Sequence, residues 1–144
     1  MPNKALRIMI ADTQHAHRMR LEFLFNQQGY FRIVPVSDVQ ELMTLVAYAS
    51  EPFDLLVVDA CMAEGALELP DFFLEHPQVR HGMIYNVRQA IPMSVPGARR
   101  DSLHLHPGPL PDLASLADLM ARVDPQEHTL AAPWDRALRQ GLKG

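Results

Sequence analysis

The sequence predicts an α/β protein with a parallel sheet, and two apolar runs that end on carboxylates carry most of this prediction. Residues 53–59 are rich in Val and Leu and end at Asp59, which is typical of a parallel strand buried on both faces. Residues 6–11 form a second such run, followed by Asp12. In open α/β sheets, ligands bind beyond the carboxyl ends of the strands, so we expect Asp12 and Asp59 to lie together at that edge.

The remaining elements alternate between helix and strand. Gly29 closes the first predicted helix, and Pro35 places the second strand at an edge of the sheet because proline cannot donate to a central ladder. Ser37 and Asp38, followed by Glu41, resemble a capping box at the start of the second helix. The predicted helices span residues 15–28, 38–50, 67–76 and 111–123, and the predicted strands span residues 6–11, 31–36, 53–59, 83–87 and 103–106. This order favours right-handed crossovers.

Two regions depart from the alternation. Residues 88–102 contain two prolines and a glycine without a helical period, so we expect a loop where a fourth helix is due. Residues 1–124 are expected to form one domain, and residues 125–144 a tail or linker. Within that tail, an apolar spacing of i, i+4 and i+8 suggests a short amphipathic helix, formed by Trp134, Leu138 and Leu142.

Composition and charge exclude several classes of protein. The chain has 144 residues, of which 48% are hydrophobic, enough for one ordinary core. A net charge of −4 argues against direct nucleic-acid binding by this domain, and one cysteine, Cys61, excludes an internal disulfide. No apolar run approaches the ~20 residues that span a bilayer, and the start of the chain lacks the apolar core of a signal peptide. We expect a cytoplasmic protein without a membrane partner.

The two acidic strand ends resemble those of the receiver domain of bacterial two-component response regulators. The matching stretches are residues 7–12 with Arg18 following, and residues 53–59 with Met62 and Gly65 following. The resemblance covers residues 5–123 and implies a flavodoxin-like (CheY-like) fold with strand order 2-1-3-4-5. It also implies that Asp59 accepts a phosphoryl group from a histidine kinase, and that Mg²⁺ is held by Asp12, Asp59 and the backbone carbonyl of Cys61.

Three positions depart from the receiver pattern. Thr13 stands in place of the second member of the acidic pair, Asn86 in place of a Thr or Ser, and His106 in place of the lysine that pairs with the phosphoryl oxygens. Leu103 takes the place of the switch aromatic. We therefore interpret the chain as a degenerate receiver, or pseudo-receiver, without enzymatic activity or cofactor. It would act in signal transduction or transcriptional regulation by binding a protein partner or an attached output domain.

Other interpretations remain open. The chain could instead be a working response regulator with Asp59 phosphorylated and Mg²⁺ weakly bound. Asp59 could be a plain strand-end residue, Asp12 a helix cap, and Cys61 a buried inert thiol. The histidines near this edge suit a transition metal, but they are more typical of exposed loop and strand positions. An enzyme on the same sheet, either a metal hydrolase or a flavin protein, is disfavoured, because the loop after Asp12 lacks the run of hydroxyls and glycines that a flavodoxin phosphate site would use.

We also expect a homodimer. Leu113, Leu116, Met120 and Val123 are predicted to form the buried face of the last helix. Residues off that face, together with strand five, would form an apolar patch that a second copy covers by a two-fold contact. The predicted interface residues are Leu103, Leu105, Ala114 and Leu119.

Overall fold

The structure is a computed structural model that describes residues 2–64, 69–87 and 102–125. Its elements are β1 (Ile8–Ala11), α1 (His15–Gln27), β2 (Ile33–Val36), α2 (Val39–Ala47), β3 (Phe53–Asp59), α3 (Ala60–Ala63), α4 (Leu69–Glu75), β4 (Val79–Tyr85), β5 (Leu103–His106) and α5 (Leu113–Val123). None of the helices in these ranges is long and apolar enough to cross a membrane.

The five strands form one parallel sheet in the order β2-β1-β3-β4-β5, as the sequence predicts. Pro35 lies in the edge strand β2, opposite Ile10 of β1. At the carboxyl edge, Asp59 of β3 lies opposite Tyr85 of β4, and Tyr85 lies opposite His106 of β5. The register therefore places the ends of three strands at one level.

Each face of the sheet carries its own hydrophobic core. Helices α2 and α4 cover one face through Leu42, Val46, Phe72 and Phe73. On the other face, α1 contributes the predicted Leu21, Leu24 and Phe25, and α5 contributes Leu116, Leu119, Met120 and Val123. Strand β3 alternates between the two cores, which explains why it reads as one continuous apolar run.

Helix boundaries follow the predicted capping residues. The carboxylate of Asp38 accepts the backbone N–H of Glu41 at 2.7 Å, and the Glu41 side chain accepts the N–H of Ser37 at 3.0 Å. This reciprocal arrangement confirms the capping-box prediction for α2. After α1, Gly29 adopts a φ of 96°, which a residue with a Cβ rarely adopts.

Strand β4 begins earlier than predicted, at Val79 instead of Met83. The first half of β4 was not predicted, because Arg80 and His81 interrupt the apolar pattern by which buried strands are recognised. Gly82 lies where the ring of Phe73 crosses the strand: a Cβ there would sit 2.3 Å from ring atoms. The glycine thus permits a close approach of α4 to the sheet. The predicted loop at 88–102 falls, except for Ser102, outside the described residues, as does the tail beyond residue 125.

The prediction for the exposed face of α5 is partly wrong. Leu119 is only 2% exposed and belongs to the core, whereas Leu113, predicted to be buried, is 43% exposed. The buried stripe of α5 runs through positions 116, 119, 120 and 123, an i, i+3, i+4, i+7 pattern that leaves the first helical residue outside it. Leu103 is also buried, at 7%. Leu103 and Leu119 therefore cannot line an exposed interface, while Leu105 and Ala114 are exposed.

Candidate functional site at the carboxyl edge of the sheet

Two carboxylates and a tyrosine lie at the carboxyl ends of neighbouring strands. Asp12 directly follows β1 and Asp59 ends β3, and these strands are parallel neighbours, so both acids lie at the same edge, as expected. The hydroxyl of Tyr85, at the end of β4, is bonded to Asp12, and Tyr85 lies opposite Asp59 in the strand register. The core of the candidate site is therefore Asp12, Asp59 and Tyr85.

Asp12 is completely buried, and both of its oxygens are hydrogen-bonded. Oδ1 accepts the backbone N–H of Gln14 at 2.8 Å. Oδ2 accepts the hydroxyl of Tyr85 at 2.5 Å and lies 2.9 Å from Nδ1 of His17. A buried carboxylate is tolerated when hydrogen bonds replace its lost hydration, and Asp12 meets this condition internally.

The structure refines the interpretation of Asp12 as a helix cap. Gln14 is the N-cap residue of α1 and makes no side-chain capping bond. Asp12 bonds the N–H of Gln14 itself, and so stabilises the turn before the helix. The guanidinium of Arg18 donates to the backbone carbonyl of Asp12 at 2.6 Å. The side chains of His17 and Arg18 together hold the first turn of α1 against the end of β1.

Tyr85 is a site residue that the sequence analysis missed. Burial is the main cause that raises its pKa far above the ordinary value, and the hydrogen bond to Asp12 and the negative charges of both aspartates add to it. The phenol therefore stays protonated and serves Asp12 as a donor. Its position in the sequence could have indicated this role. A tyrosine near the end of a buried strand, beside two strands that end on acidic residues, needs a hydrogen-bond partner for its hydroxyl.

Asp59 has a different set of partners. Its Oδ1 accepts the backbone N–H of Cys61 at 2.9 Å, which caps the short helix α3, and the side-chain amide of Asn86 at 3.1 Å. Its Oδ2 makes no hydrogen bond with any residue in the described ranges. Asn86 reaches Asp59 from a left-handed conformation, with a φ of 60°, and its own N–H donates to the carbonyl of Gly108 at 2.8 Å. The side-chain amide of Asn86 therefore lies directly at Asp59.

In the described part of the chain, the side chains of Thr13, His106 and Cys61 lie around this core without a hydrogen bond to either carboxylate. Thr13 is exposed. His106 ends β5 at the level of Tyr85, but its imidazole lies against Gly108, and no hydrogen bond within the described part of the chain links it to Asp59. Cys61 is only partly buried, and its sulfur lies 3.2 Å from the side-chain amide of Asn86.

The residues present do not fit a tightly held Mg²⁺ ion. Mg²⁺ requires near-octahedral oxygen ligands and usually takes one or two carboxylates. Both oxygens of Asp12 are engaged, Thr13 supplies no carboxylate, and the Cys61 carbonyl accepts the N–H of Glu64 at 3.3 Å. Among the residues that the structure describes, Oδ2 of Asp59 is then the oxygen of this carboxylate pair without a hydrogen bond. Within the described ranges, no group of three or more His, Cys, Asp or Glu side chains could hold a metal.

Comparisons with known proteins identify the fold. No family model matches the sequence, and no curated protein matches it. Among solved structures, a response regulator receiver domain protein from Clostridium thermocellum has a TM-score of 0.63 at 14% identity, covering 87% of this chain and 98% of the other. The receiver domain of the hybrid histidine kinase CckA gives a TM-score of 0.58 at 17% identity, covering 81% and 97%.

A third structure, a putative pilus assembly-related protein from Burkholderia pseudomallei, has a TM-score of 0.56 at 19% identity, covering 82% of this chain and 88% of the other. With the strand order 2-1-3-4-5, these similarities show that the chain has the flavodoxin-like fold of response regulator receiver domains. At identities of 14–19% they establish the fold alone.

Proposed function

We propose that this chain is a receiver-fold module that acts in signal transduction by binding a protein partner or an attached output domain, without phosphorylation of Asp59. The observation that carries the proposal is the state of Asp12. Its carboxylate is fully buried and bonded to Gln14, His17 and Tyr85. The carboxylate that a receiver would offer to the metal is therefore already hydrogen-bonded within the fold.

The physical argument concerns charge. A phosphoryl group placed on Asp59 brings negative oxygens next to Asp12, and a divalent cation normally offsets that repulsion. In this chain, Tyr85 and His17 at Oδ2 and the backbone N–H of Gln14 at Oδ1 stabilise Asp12 instead, so both of its oxygens are already hydrogen-bonded. Among the described residues, no hydrogen bond joins His106 to Asp59, and the His106 ring lies against Gly108 instead.

The alternative is a working phosphoacceptor, and one observation favours it. Asp59 keeps Oδ2 without a hydrogen bond in the described part of the chain, at the edge of the sheet where the phosphoryl group of a receiver would bind. The amide of Asn86, 3.1 Å from Oδ1, is a donor that a phosphoryl oxygen could take over. This alternative predicts covalent modification of Asp59 that depends on Mg²⁺.

Incubation with acetyl phosphate and Mg²⁺, followed by intact-mass measurement, separates the two functions. We expect the mass of the wild-type protein to remain unchanged. The matched control is Asp59→Asn, which keeps the size and the capping oxygen of the side chain but cannot be phosphorylated. A gain of one phosphoryl group in the wild type that is absent from Asp59→Asn would overturn the proposal in favour of the phosphoacceptor.

We further propose that the module forms a homodimer at the β5 edge. Leu105 is 41% exposed and Leu113 is 43% exposed, and Ala114 follows on the same exposed turn of α5. Leu105 pairs with Ile84 and so lies on the sheet face that α4 covers, whereas α5 packs on the other face. A two-fold contact between identical copies would therefore reach around the β5 edge to include both. Leu103 and Leu119 are core residues and take no part in it.

Sedimentation tests the dimer. Leu105→Glu combined with Ala114→Arg should give a folded monomer, because both side chains are exposed and their replacement leaves the core intact. Tyr48→Glu, at a residue that is 84% exposed after α2, is the matched control and should leave the association unchanged. A wild-type protein that is monomeric at high micromolar concentration would exclude the homodimer and reserve this surface for another protein.

A further inference from the structure

The imidazole of His17 has one nitrogen held by the fold and one that faces the solvent. Its Nδ1 lies 2.9 Å from Oδ2 of Asp12, whose carboxylate is completely buried. The side chain of His17 is 31% exposed, and its Nε2 makes no hydrogen bond with any residue in the described ranges. Because Nε2 is also not a buried atom within those ranges, it is accessible to a small molecule from the solvent.

The surroundings of Asp12 determine which nitrogen of His17 carries the proton. Burial raises the pKa of Tyr85, so its hydroxyl keeps its proton and donates to Oδ2 of Asp12. An ionised carboxylate only accepts hydrogen bonds, so Nδ1 of His17 must donate to the same oxygen. In the neutral imidazole, Nε2 then carries the lone pair. His17 therefore presents an oriented nucleophile to the solvent.

The charges around His17 suit a phosphoryl group as the electrophile. The guanidinium of Arg18 donates to the backbone carbonyl of Asp12 at 2.6 Å, so it lies at the same residue that His17 contacts. A neutral imidazole attacks a phosphoryl anion without the like-charge repulsion that the carboxylate of Asp59 would meet, and so it needs no Mg²⁺. When Nε2 bonds to phosphorus the ring becomes positively charged, and Asp12 is in place to stabilise that charge.

We propose that His17 accepts a phosphoryl group at Nε2 from a phosphoramidate donor, in which phosphorus is bonded to nitrogen, and that Asp12 is its positioning residue. The lone pair of Nε2 forms the new N–P bond. The P–N bond of the donor breaks, and the amine leaves with that electron pair. Nδ1 keeps its proton in the hydrogen bond to Asp12. The modification adds negative charge to the first turn of α1, which changes the surface that the module offers to a partner without any reaction at Asp59.

Labelling with phosphoramidate tests the assignment, with EDTA present so that no Mg²⁺ can assist Asp59. Intact mass measures the extent of phosphorylation, and peptide mapping at alkaline pH, where phosphohistidine survives, identifies the modified residue. We expect the first phosphoryl group on His17, in the wild type and in Asp59→Asn alike. His17→Gln should lose it. The matched control is His15→Gln, which should be labelled like the wild type, because His15 is exposed and its Nδ1 faces Arg18 at 3.5 Å instead of a carboxylate.

Two further variants test the role of Asp12. Asp12→Asn removes the charge that orients His17 and should slow its labelling roughly tenfold. Tyr85→Phe also removes a hydrogen bond from Asp12 but leaves the contact with His17, so it should keep the wild-type rate although its stability falls. Nitrogen chemical shifts of His17 should show the proton on Nδ1 in the wild type and in Tyr85→Phe. Far-ultraviolet circular dichroism at the labelling temperature checks that each variant is folded.

Several results would overturn the proposal. Equal labelling rates at His15 and His17, or an undiminished initial rate in His17→Gln, would show that the contact with Asp12 does not select the nucleophile. Tyr85→Phe labelled as slowly as Asp12→Asn would exclude the positioning role of Asp12. A label on Asp59 alone, absent from Asp59→Asn, would overturn both this proposal and the function proposed above. A label on neither His17 nor Asp59 would overturn this proposal only.

Discussion

The ends of β1 and β3 carry the same residue type at the same edge of the sheet, yet the two carboxylates are in different states. Asp12 is 0% exposed and Asp59 5% exposed, so burial does not distinguish them. Their donors do. Asp12 is bonded by His17 from α1 and by Tyr85 from β4, besides the backbone of Gln14. Asp59 has the backbone of Cys61 and the amide of Asn86, both on one oxygen.

The difference shows that the reactivity of a carboxylate at this edge depends more on how many hydrogen bonds it accepts than on how deeply it is buried. A carboxylate whose two oxygens are both bonded is a structural element, because breaking those bonds leaves buried donors without partners. A carboxylate with one oxygen still open keeps the capacity to accept a ligand or a covalent group. Asp12 belongs to the first kind, and Asp59, by its partners within residues 2–64, 69–87 and 102–125, belongs to the second.

The largest expected effect comes from removing each carboxylate in turn. Asp12→Ala should lower the free energy of unfolding by about 3 kcal/mol, because it strands the buried hydroxyl of Tyr85 and the partners of a buried charge. Asp59→Ala removes mainly the cap of the short helix α3 and should cost about 1 kcal/mol. Urea unfolding followed by circular dichroism measures both. Equal losses for the two variants would contradict the division between a structural and an open carboxylate.

The fold could be predicted from the sequence because its signals are local and redundant. The apolar run at 53–59 predicts a buried strand from its own residues, without reference to the rest of the chain. Pro35 likewise excludes a central strand by itself, because proline cannot donate to the ladder. Both observations are properties of one segment, and the sheet order agrees with them. The start of β4 was missed where Arg80 and His81 broke the apolar pattern, since a long strand near the edge of a sheet tolerates polar residues.

The site was predicted only as far as strand ends determine it. That Asp12 and Asp59 lie at one edge follows from the parallel sheet, and the structure confirms this placement. The bond from Asn86 to Asp59 was not predicted. That Tyr85 and His17 bond Asp12 depends on side-chain orientation, which no sequence spacing specifies. The burial of Leu119 was missed for a similar reason, because a one-residue rotation of a short helix exchanges its buried and exposed positions.

The second prediction concerns Tyr85→Phe, which removes the hydroxyl that donates to Asp12. The loss of one hydrogen bond to a charged group should cost about 2 kcal/mol of stability. It also removes one of the two donors at Oδ2 of Asp12 and leaves His17 there, and adding Thr13→Asp supplies a further carboxylate at the edge. The double variant should therefore bind Mg²⁺ measurably more tightly than the wild type in calorimetry.

Two controls complete that experiment. Thr13→Asp alone should gain little Mg²⁺ affinity, because Tyr85 still occupies Asp12. Adding Asp59→Asn to the double variant should remove most of the gain. If the double variant Tyr85→Phe with Thr13→Asp binds Mg²⁺ no more tightly than the wild type, the hydroxyl of Tyr85 is not the group that prevents Mg²⁺ binding.

The third prediction concerns alkaline pH. Burial and the bond to Asp12 raise the pKa of Tyr85 in the folded state well above its unfolded value of about 10. The folded protein therefore binds the phenolic proton more tightly, so this contribution to stability is complete below pH 10 and falls as the pH rises further. The loss should approach about 1.4 kcal/mol per pH unit. Urea midpoints from pH 8 to above 10 should show a steeper decline for the wild type than for Tyr85→Phe, and parallel curves would show that Tyr85 ionises freely.

The smallest expected effect tests the open carboxylate through Asn86, which serves Asp59 in two ways. Its amide lies 3.1 Å from Oδ1 of Asp59, and its backbone holds a left-handed φ of 60°. Asn86→Ala loses the hydrogen bond and places a Cβ in an unfavourable region, whereas Asn86→Gly loses the bond but relieves the backbone. We expect Asn86→Ala to be less stable than Asn86→Gly by about 1 kcal/mol in urea unfolding. If the two variants are equally stable, the hydrogen bond to Asp59 accounts for the whole contribution of Asn86, and the left-handed turn adds nothing to it.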